Sequence, residues 1–381
     1  MNIELRLITL LARSYHSDRI VKQINELSDE SIDWHNALEL MQHHRVSALC
    51  LNSLRKLALP RVPSSVIHAL QAECKQHTGN ALILMNAARE IITCIQSAHI
   101  EVVCFKGIVA AQLIYGQLSM RNFGDIDLYV RQKDHAATEV LLSKNGFHIT
   151  NRHEGSFQSS LRDEQKGVNI DLHWKIPPRE LDIPSGLLWD NISSIDIHQQ
   201  AIPTFGLNDT ILITAVNALK EYWSSRLYRF CDLAELIHSH PQPDWNRIFN
   251  RAKQLGLQNT LFTALIVCEK LLSAPIPREI SAVITRQHKL SPIVDELVSQ
   301  IELVEQTNSE ANYRKTRIVP SDKHYFLALQ DTWPRKWQFW LKWALTPTAA
   351  DREFLLIPTS LSALYYLLRP IRLLFSKRPS R

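Results

Sequence analysis

Glycine is scarce, with ten in 381 residues, and none of them completes GxxxxGK[ST], GxGxxG or GxSxG. HExxH is missing too, so a P-loop, a dinucleotide fingerprint, a nucleophile elbow and a zinc-protease helix are all unsupported. The six cysteines (Cys50, Cys74, Cys94, Cys104, Cys231, Cys268) stand singly, without a CxxC pair or zinc-ligand spacing. They read as reduced core residues, as in a cytosolic protein. Long apolar runs are also lacking. The stretch FLLIPTSLSALYYLL has fifteen residues before Arg369 and is interrupted by Pro358, short of the roughly 20 apolar residues that a membrane helix requires. There is no internal repeat and no low-complexity tract. The opening segment MNIELRLITLLARSYHSD carries Glu4, Arg6 and Arg13 within its apolar pattern and has no small-residue cleavage site. It reads as an amphipathic helix rather than an export signal, and a cytoplasmic location is expected.

The composition, 45% hydrophobic and 21% charged, is that of a folded chain with two or three domains. Charge is unevenly placed. Residues 311–381 hold thirteen Lys and Arg against four acids, a balance of +9, which leaves −4 on the first 310 residues. A basic end on a mildly acidic body suits an anionic partner: lipid headgroups, nucleic acid or another protein.

Four regions follow from the hydrophobic periodicity. Residues 1–95 carry a helical pattern, broken near Pro60 and Pro63. Residues 96–206 alternate short strands with helices: IEVVCF, GIVAAQLIYGQL, DIDLYV, HAATEVLLSKNGF and KGVNIDLHW, with a further extended piece at 195–205. Residues 207–310 return to helix, with one stripe from Ile211, Leu212, Ala215, Leu219 and Tyr222 and another from Phe230, Leu233, Ala234 and Ile237. Residues 311–381 form a basic, Trp-rich helical extension.

RNFGDIDLYV (121–130) places two aspartates inside an apolar strand, where aspartate is disfavoured. The period of two puts Asp125 and Asp127 on one face and Ile126, Leu128 and Val130 on the other. Carboxylates held that close repel, and one is pushed toward protonation unless a cation lies between them. In KGVNIDLHW the polar face carries Asn169, Asp171 and His173, so Asp171 is a natural third carboxylate. Three carboxylates on one small sheet suit phosphoryl chemistry supported by two divalent ions. Upstream, Lys106 and Gly107 lead from a strand into a helix, which aims backbone N–H groups and the positive helix end at an anion. Lys106 otherwise reads as a solvated strand end, His173 as a hydrogen-bonded neighbour of the site, and Asp232 as a cap between helices.

CFKGIVAAQLIYG (104–116), RNFGDIDLYV, NIDLHW (169–174), RLYRFCDLAELI (226–237) and DWNRIFNRAKQLG (244–256), in that order, resemble the nucleotidyltransferase superfamily, and more closely a family of uncharacterised nucleotidyltransferases. The resemblance covers about residues 30–310. It implies an α+β fold, a small mixed β-sheet of the DNA polymerase beta-like kind flanked by N-terminal and C-terminal helical regions. It makes Asp125, Asp127 and Asp171 the carboxylates that bind two Mg²⁺ ions and gives Gly107 the opening of the phosphate-contacting helix. Ile108 stands where the superfamily has Ser or Gly, so Lys106 and Arg121 are expected to grip the triphosphate. Asp232 also matches the family pattern. The implied activity transfers a nucleoside monophosphate from a nucleoside triphosphate, such as ATP, to an unidentified acceptor (small molecule, peptide or protein) and releases pyrophosphate. A binding or scaffold protein that keeps the fold without catalysis is the alternative to which Ile108 points. A nucleic-acid-acting protein using the basic end is another.

In TWPRKWQFWLKWAL, Trp333, Trp337, Trp340 and Trp343 recur at helical spacing behind Pro334. Two readings remain open: helices packed on the body, or a foot resting on an anionic membrane surface.

Overall fold

The computed structural model describes residues 2–59, 61–152, 157–220, 226–303, 322–347, 351, 354–355, 362 and 364–375. Expectations for Pro60, Tyr222, Pro358 and the basic residues at 314, 315, 317, 352, 377, 378 and 381 fall outside these. The chain forms two compact units, Met1–Ile318 and Val319–Arg381.

The first unit opens with α1 (Ile3–Leu11), α2 (Asp18–Ser28), α3 (Trp34–His43), α4 (Ser47–Leu57) and α5 (Ser64–Ser97). Local chemistry sets the ends. The Asn2 side chain accepts from Leu5 N to cap α1, and Asp33 accepts from His35 N and Asn36 N to cap α3. α4 stops at Ala58 in a left-handed conformation, and α5 starts directly after Pro63.

A five-stranded sheet follows: β1 (Val102–Cys104), β2 (Ile126–Val130), β3 (His148–Arg152), β4 (Gln158–Asp163) and β5 (Val168–His173), in the order β1-β2-β5-β4-β3. β2 and β5 are parallel and the other neighbours antiparallel, a mixed sheet in an α+β fold. α6 (Gly107–Tyr115) links β1 to β2, and α7 (His135–Lys144) links β2 to β3. Alternation then assigns the two faces. Val102, Cys104, Ile126, Leu128, Val130, Ile170 and Leu172 pack on Ala81–Ile95 of α5 and on Ile108, Val109 and Ala111 of α6. The opposite face is left to Asp127, Tyr129, Asp171 and His173. There Tyr129 stacks on Trp189 at 5.3 Å and meets Phe105 and Phe205 edge-on.

α8 (Ser185–Leu188) precedes the hairpin β6 (Ile192–Ile197) and β7 (Gln200–Phe205), and the extended piece expected at 195–205 proves to be most of that hairpin. Helices then return: α9 (Leu207–Leu219), α10 (Leu227–Ser239), α11 (Trp245–Leu255), α12 (Gln258–Leu272), α13 (Arg278–Thr285) and α14 (Ser291–Leu303). They close onto the N-terminal helices. Ser14 N donates to Glu235 Oε1 at 2.8 Å across 221 residues, and Leu227 N donates to Nδ1 of the fully buried His44 at 3.3 Å.

The second unit contains α15 (Asp322–Leu329), α16 (Trp333–Leu345) and α17 (Tyr365–Phe375). Among the described residues no helix is long and apolar enough to cross a membrane.

Candidate active site

Parallel pairing places Asp127 of β2 directly beside Asp171 of β5, with Tyr129 beside His173 one step on. Asp125 lies one residue before β2 and, two residues from Asp127, shares its side. The pairing therefore brings three carboxylates to one end of the sheet. Each has a different environment. Asp127 Oδ1 accepts from Lys106 Nζ at 2.8 Å and from His173 Nε2 at 3.0 Å, leaving Oδ2 without a hydrogen bond among the described residues. Asp171 accepts from Ser160 Oγ at 2.6 Å and Gln158 Nε2 at 3.3 Å, both from β4.

The electrostatics separate the neighbours. Burial alone raises the Asp127 carboxyl, but Lys106 and His173 outweigh it and hold the group well below the usual carboxylate range. Asp125 is pushed up to about 6 by burial and then by the negative charges of Asp127 and Asp171. Two carboxylates two residues apart thus differ in proton affinity because Lys106 serves one of them. Burial and the nearby Lys106 charge lower His173. A neutral His173 donates from Nε2, and its Nδ1 is buried without a hydrogen-bond partner among the described residues.

The strand-to-helix turn has a special backbone. Lys106, the N-cap of α6, has φ 57° and ψ −143°, close to territory otherwise used by glycine. Gly107 follows at φ +22°, and a Cβ there would meet the Asp125 carbonyl oxygen at 3.3 Å and the Phe123 ring at 3.6 Å. Glycine at 107 thus lets α6 start against the residue that leads into β2. Ile108 is buried in the sheet's apolar core, so its side chain faces away from this turn.

Lys106 also lines a narrow cleft with Arg121 and Asp232. Arg121 Nε donates to Asp232 Oδ2 at 2.9 Å, and Tyr115 OH donates to Asp232 Oδ1 at 2.9 Å. Only Nε of the guanidinium is so engaged; its two outer nitrogens make no hydrogen bond to a described residue. Thr210, Thr214 and Asn217, one face of α9, continue the lining, with Thr204 of β7 opposite.

Sequence reasoning thus selects Asp125, Asp127, Asp171, Lys106 and Gly107, which meet at one turn, and Arg121, which lies in the adjoining cleft. Two of its readings are corrected. Lys106 is not a solvated strand end, because its side chain is 13% exposed and paired with Asp127. Asp232 is no helix cap: it lies inside α10 and binds Arg121 and Tyr115. Gln158, Ser160 and Tyr115 escape the sequence reading, and the only signal for the first two is a weak alternation in QSSLRD.

Asp127, Asp171 and His173 offer ligand atoms that lie within 4.8 Å of one another. Carboxylate oxygens dominate, Asp125 adds a third acid whose proton affinity is already raised by burial and its neighbours, and among the described residues no cysteine joins the group. This donor set fits a hard divalent cation.

A family model described as uncharacterised nucleotidyltransferase matches residues 30–273. The chain belongs to that family of transferases. Similar solved structures include an antigenic nucleotidyltransferase-like protein from Paracoccidioides brasiliensis, 17% identical, covering 51% of this chain and 93% of its own, with a TM-score of 0.34. The antibiotic-resistance factor ANT(2'')-Ia is 13% identical and covers 56% of this chain and 98% of its own, with a TM-score of 0.28. No curated protein matches the chain.

Proposed function

We propose that this chain is a Mg²⁺-dependent nucleotidyltransferase that transfers a nucleoside monophosphate from a nucleoside triphosphate, ATP among the candidates, to an acceptor and releases pyrophosphate. The carrying observation is the parallel register of Asp127 and Asp171 with Asp125 beside them, next to a glycine-opened helix. Asp125, Asp127 and Asp171 would hold two Mg²⁺ ions, which supply charge neutralisation at the reacting phosphoryl group and the leaving pyrophosphate. His173 and Lys106 fix the rotamer of Asp127 through Oδ1, and Ser160 and Gln158 fix that of Asp171, so the acids are oriented before substrate arrives. The outer nitrogens of Arg121, which make no hydrogen bond to a described residue, and the Lys106 ammonium give the cleft two cations for the triphosphate, and Gly107 lets a phosphate approach the start of α6. Thr204, Thr210, Thr214 and Asn217 add neutral hydrogen-bonding groups for ribose or acceptor.

Ile108 does not weigh toward a catalytically inactive scaffold, since its burial is accounted for by core packing. The test is incubation of the full chain with each labelled triphosphate, Mg²⁺ and a cell extract, reading pyrophosphate release and the labelled product. Release that Asp171→Asn abolishes supports the reading. Triphosphate binding with no release and no labelled product leaves the scaffold. RNA binding with steep salt dependence and no transfer leaves the nucleic-acid alternative.

A further inference from the structure

The second unit leaves many large apolar side chains exposed. On α16, Trp333, Trp337, Trp340, Leu341 and Leu345 are 70, 57, 41, 53 and 42% exposed, while Phe339 is buried. At 3.6 residues per turn these five fall within an arc of about 140°. α17 likewise turns out Tyr366, Leu367 and Ile371, next to an exposed Leu364. Tyr325, Phe326, Leu329 and Tyr365 are buried as well, and a charge cluster is buried beside them. Asp351 is buried and accepts from Arg369 Nη1 at 2.6 Å, with Arg372 Nε on its other oxygen. Large apolar side chains exposed side by side along two helices mark a surface that meets something other than water.

The flanks indicate what covers the apolar side. With Trp333 at 0°, Lys336 falls at about 300° and Lys342 at about 180°, one lysine beyond each edge of the aromatic arc. Tryptophans bordered by cations suit a headgroup layer, where indole rings sit at the boundary and lysines reach up to anionic phosphates. The charge agrees, since residues 311–381 carry +9. No described helix can span a bilayer, so contact is parallel to the surface.

We propose that the outer sides of α16 and α17 form an interfacial foot that docks on an anionic lipid surface. Docking is independent of the transfer chemistry and is tested without it. The full-length chain is co-sedimented with vesicles of phosphatidylcholine alone or with roughly a third phosphatidylglycerol, at low and high salt. The wild type is expected on the anionic vesicles at low salt. Trp333→Ser/Trp337→Ser/Leu341→Ser should raise the lipid concentration for half-binding about tenfold or more with the melting temperature unchanged, because these three side chains are each more than half exposed, whereas Trp340 meets Trp343 edge-on and lies under Lys323. Lys336→Glu/Lys342→Glu should weaken binding to anionic vesicles and leave residual binding to neutral ones as it was. The proposal is overturned by no enrichment on anionic vesicles at low salt, or by binding that the triple variant leaves intact. It is equally overturned if light scattering finds a dimer that the triple variant dissociates, or if RNA is bound, while vesicles are ignored.

Discussion

Asp125 and Asp127 respond oppositely to the same change of residue. Asp127 is the hydrogen-bonded counter-charge of the largely buried Lys106, so Asp127→Asn breaks that pair and should cost about 3 kcal/mol in a urea melt without metal. Asp125 is opposed by its acidic neighbours, so Asp125→Asn relieves repulsion and should leave the metal-free protein equally or more stable. In the presence of Mg²⁺ and nucleotide both variants should lose about 10²- to 10³-fold in pyrophosphate release. Equal destabilisation by both with activity kept would make the acids structural. The turn is as sensitive. Gly107→Ala adds a methyl group 3.3 Å from the Asp125 carbonyl at a φ of +22°, and a loss of about 1 kcal/mol or more is expected in the same melt.

At the level of elements, β4 supports β5. Ser160 lies opposite Asp171 in the antiparallel register and donates to it. Ser160→Ala should lower Mg²⁺ affinity by about tenfold, measured by titration calorimetry, while costing roughly 1 kcal/mol of stability. An unchanged affinity would remove Ser160 from the site. This support was hidden in the sequence. β2 and β5 announce themselves by apolar alternation interrupted by acids, and the lysine-glycine turn by its place between a strand and a helix. β3 and β4, HITNR and QSSLRD, lie toward one side of the sheet and have mostly polar side chains, so periodicity says little about them. Arg121 and Asp232 are 111 residues apart, and no local pattern encodes such a pairing.

Across the first unit, His44 joins the N-terminal helices to α10. Burial and the charges of His43 and Arg226 push it down to about 3 from the usual 6.5. The sign follows from proton counting. Above pH 6.5 His44 is neutral folded or unfolded and contributes nothing; between 6.5 and about 3 the unfolded chain binds the extra proton, so stability falls as the pH falls, by up to about 1.4 kcal/mol per pH unit. His44→Asn removes the titrating group and keeps an acceptor near Leu227 N. Its urea midpoint should be less pH-dependent than the wild type's from 6.5 downward, and identical slopes would show that His44 is not the group responsible.

The bond from Ser14 to Glu235 also sets a timetable for synthesis. A ribosome adding about 5 to 20 residues per second needs roughly 10 to 45 s to travel the 221 residues between the two partners. For that interval the first helices of the nascent chain must wait for α10, with α5 the partner that reaches α3 and α4 sooner. Chains stalled short of residue 235 should therefore be cut by protease within α1 to α4 more readily than the finished protein, and should engage holding chaperones.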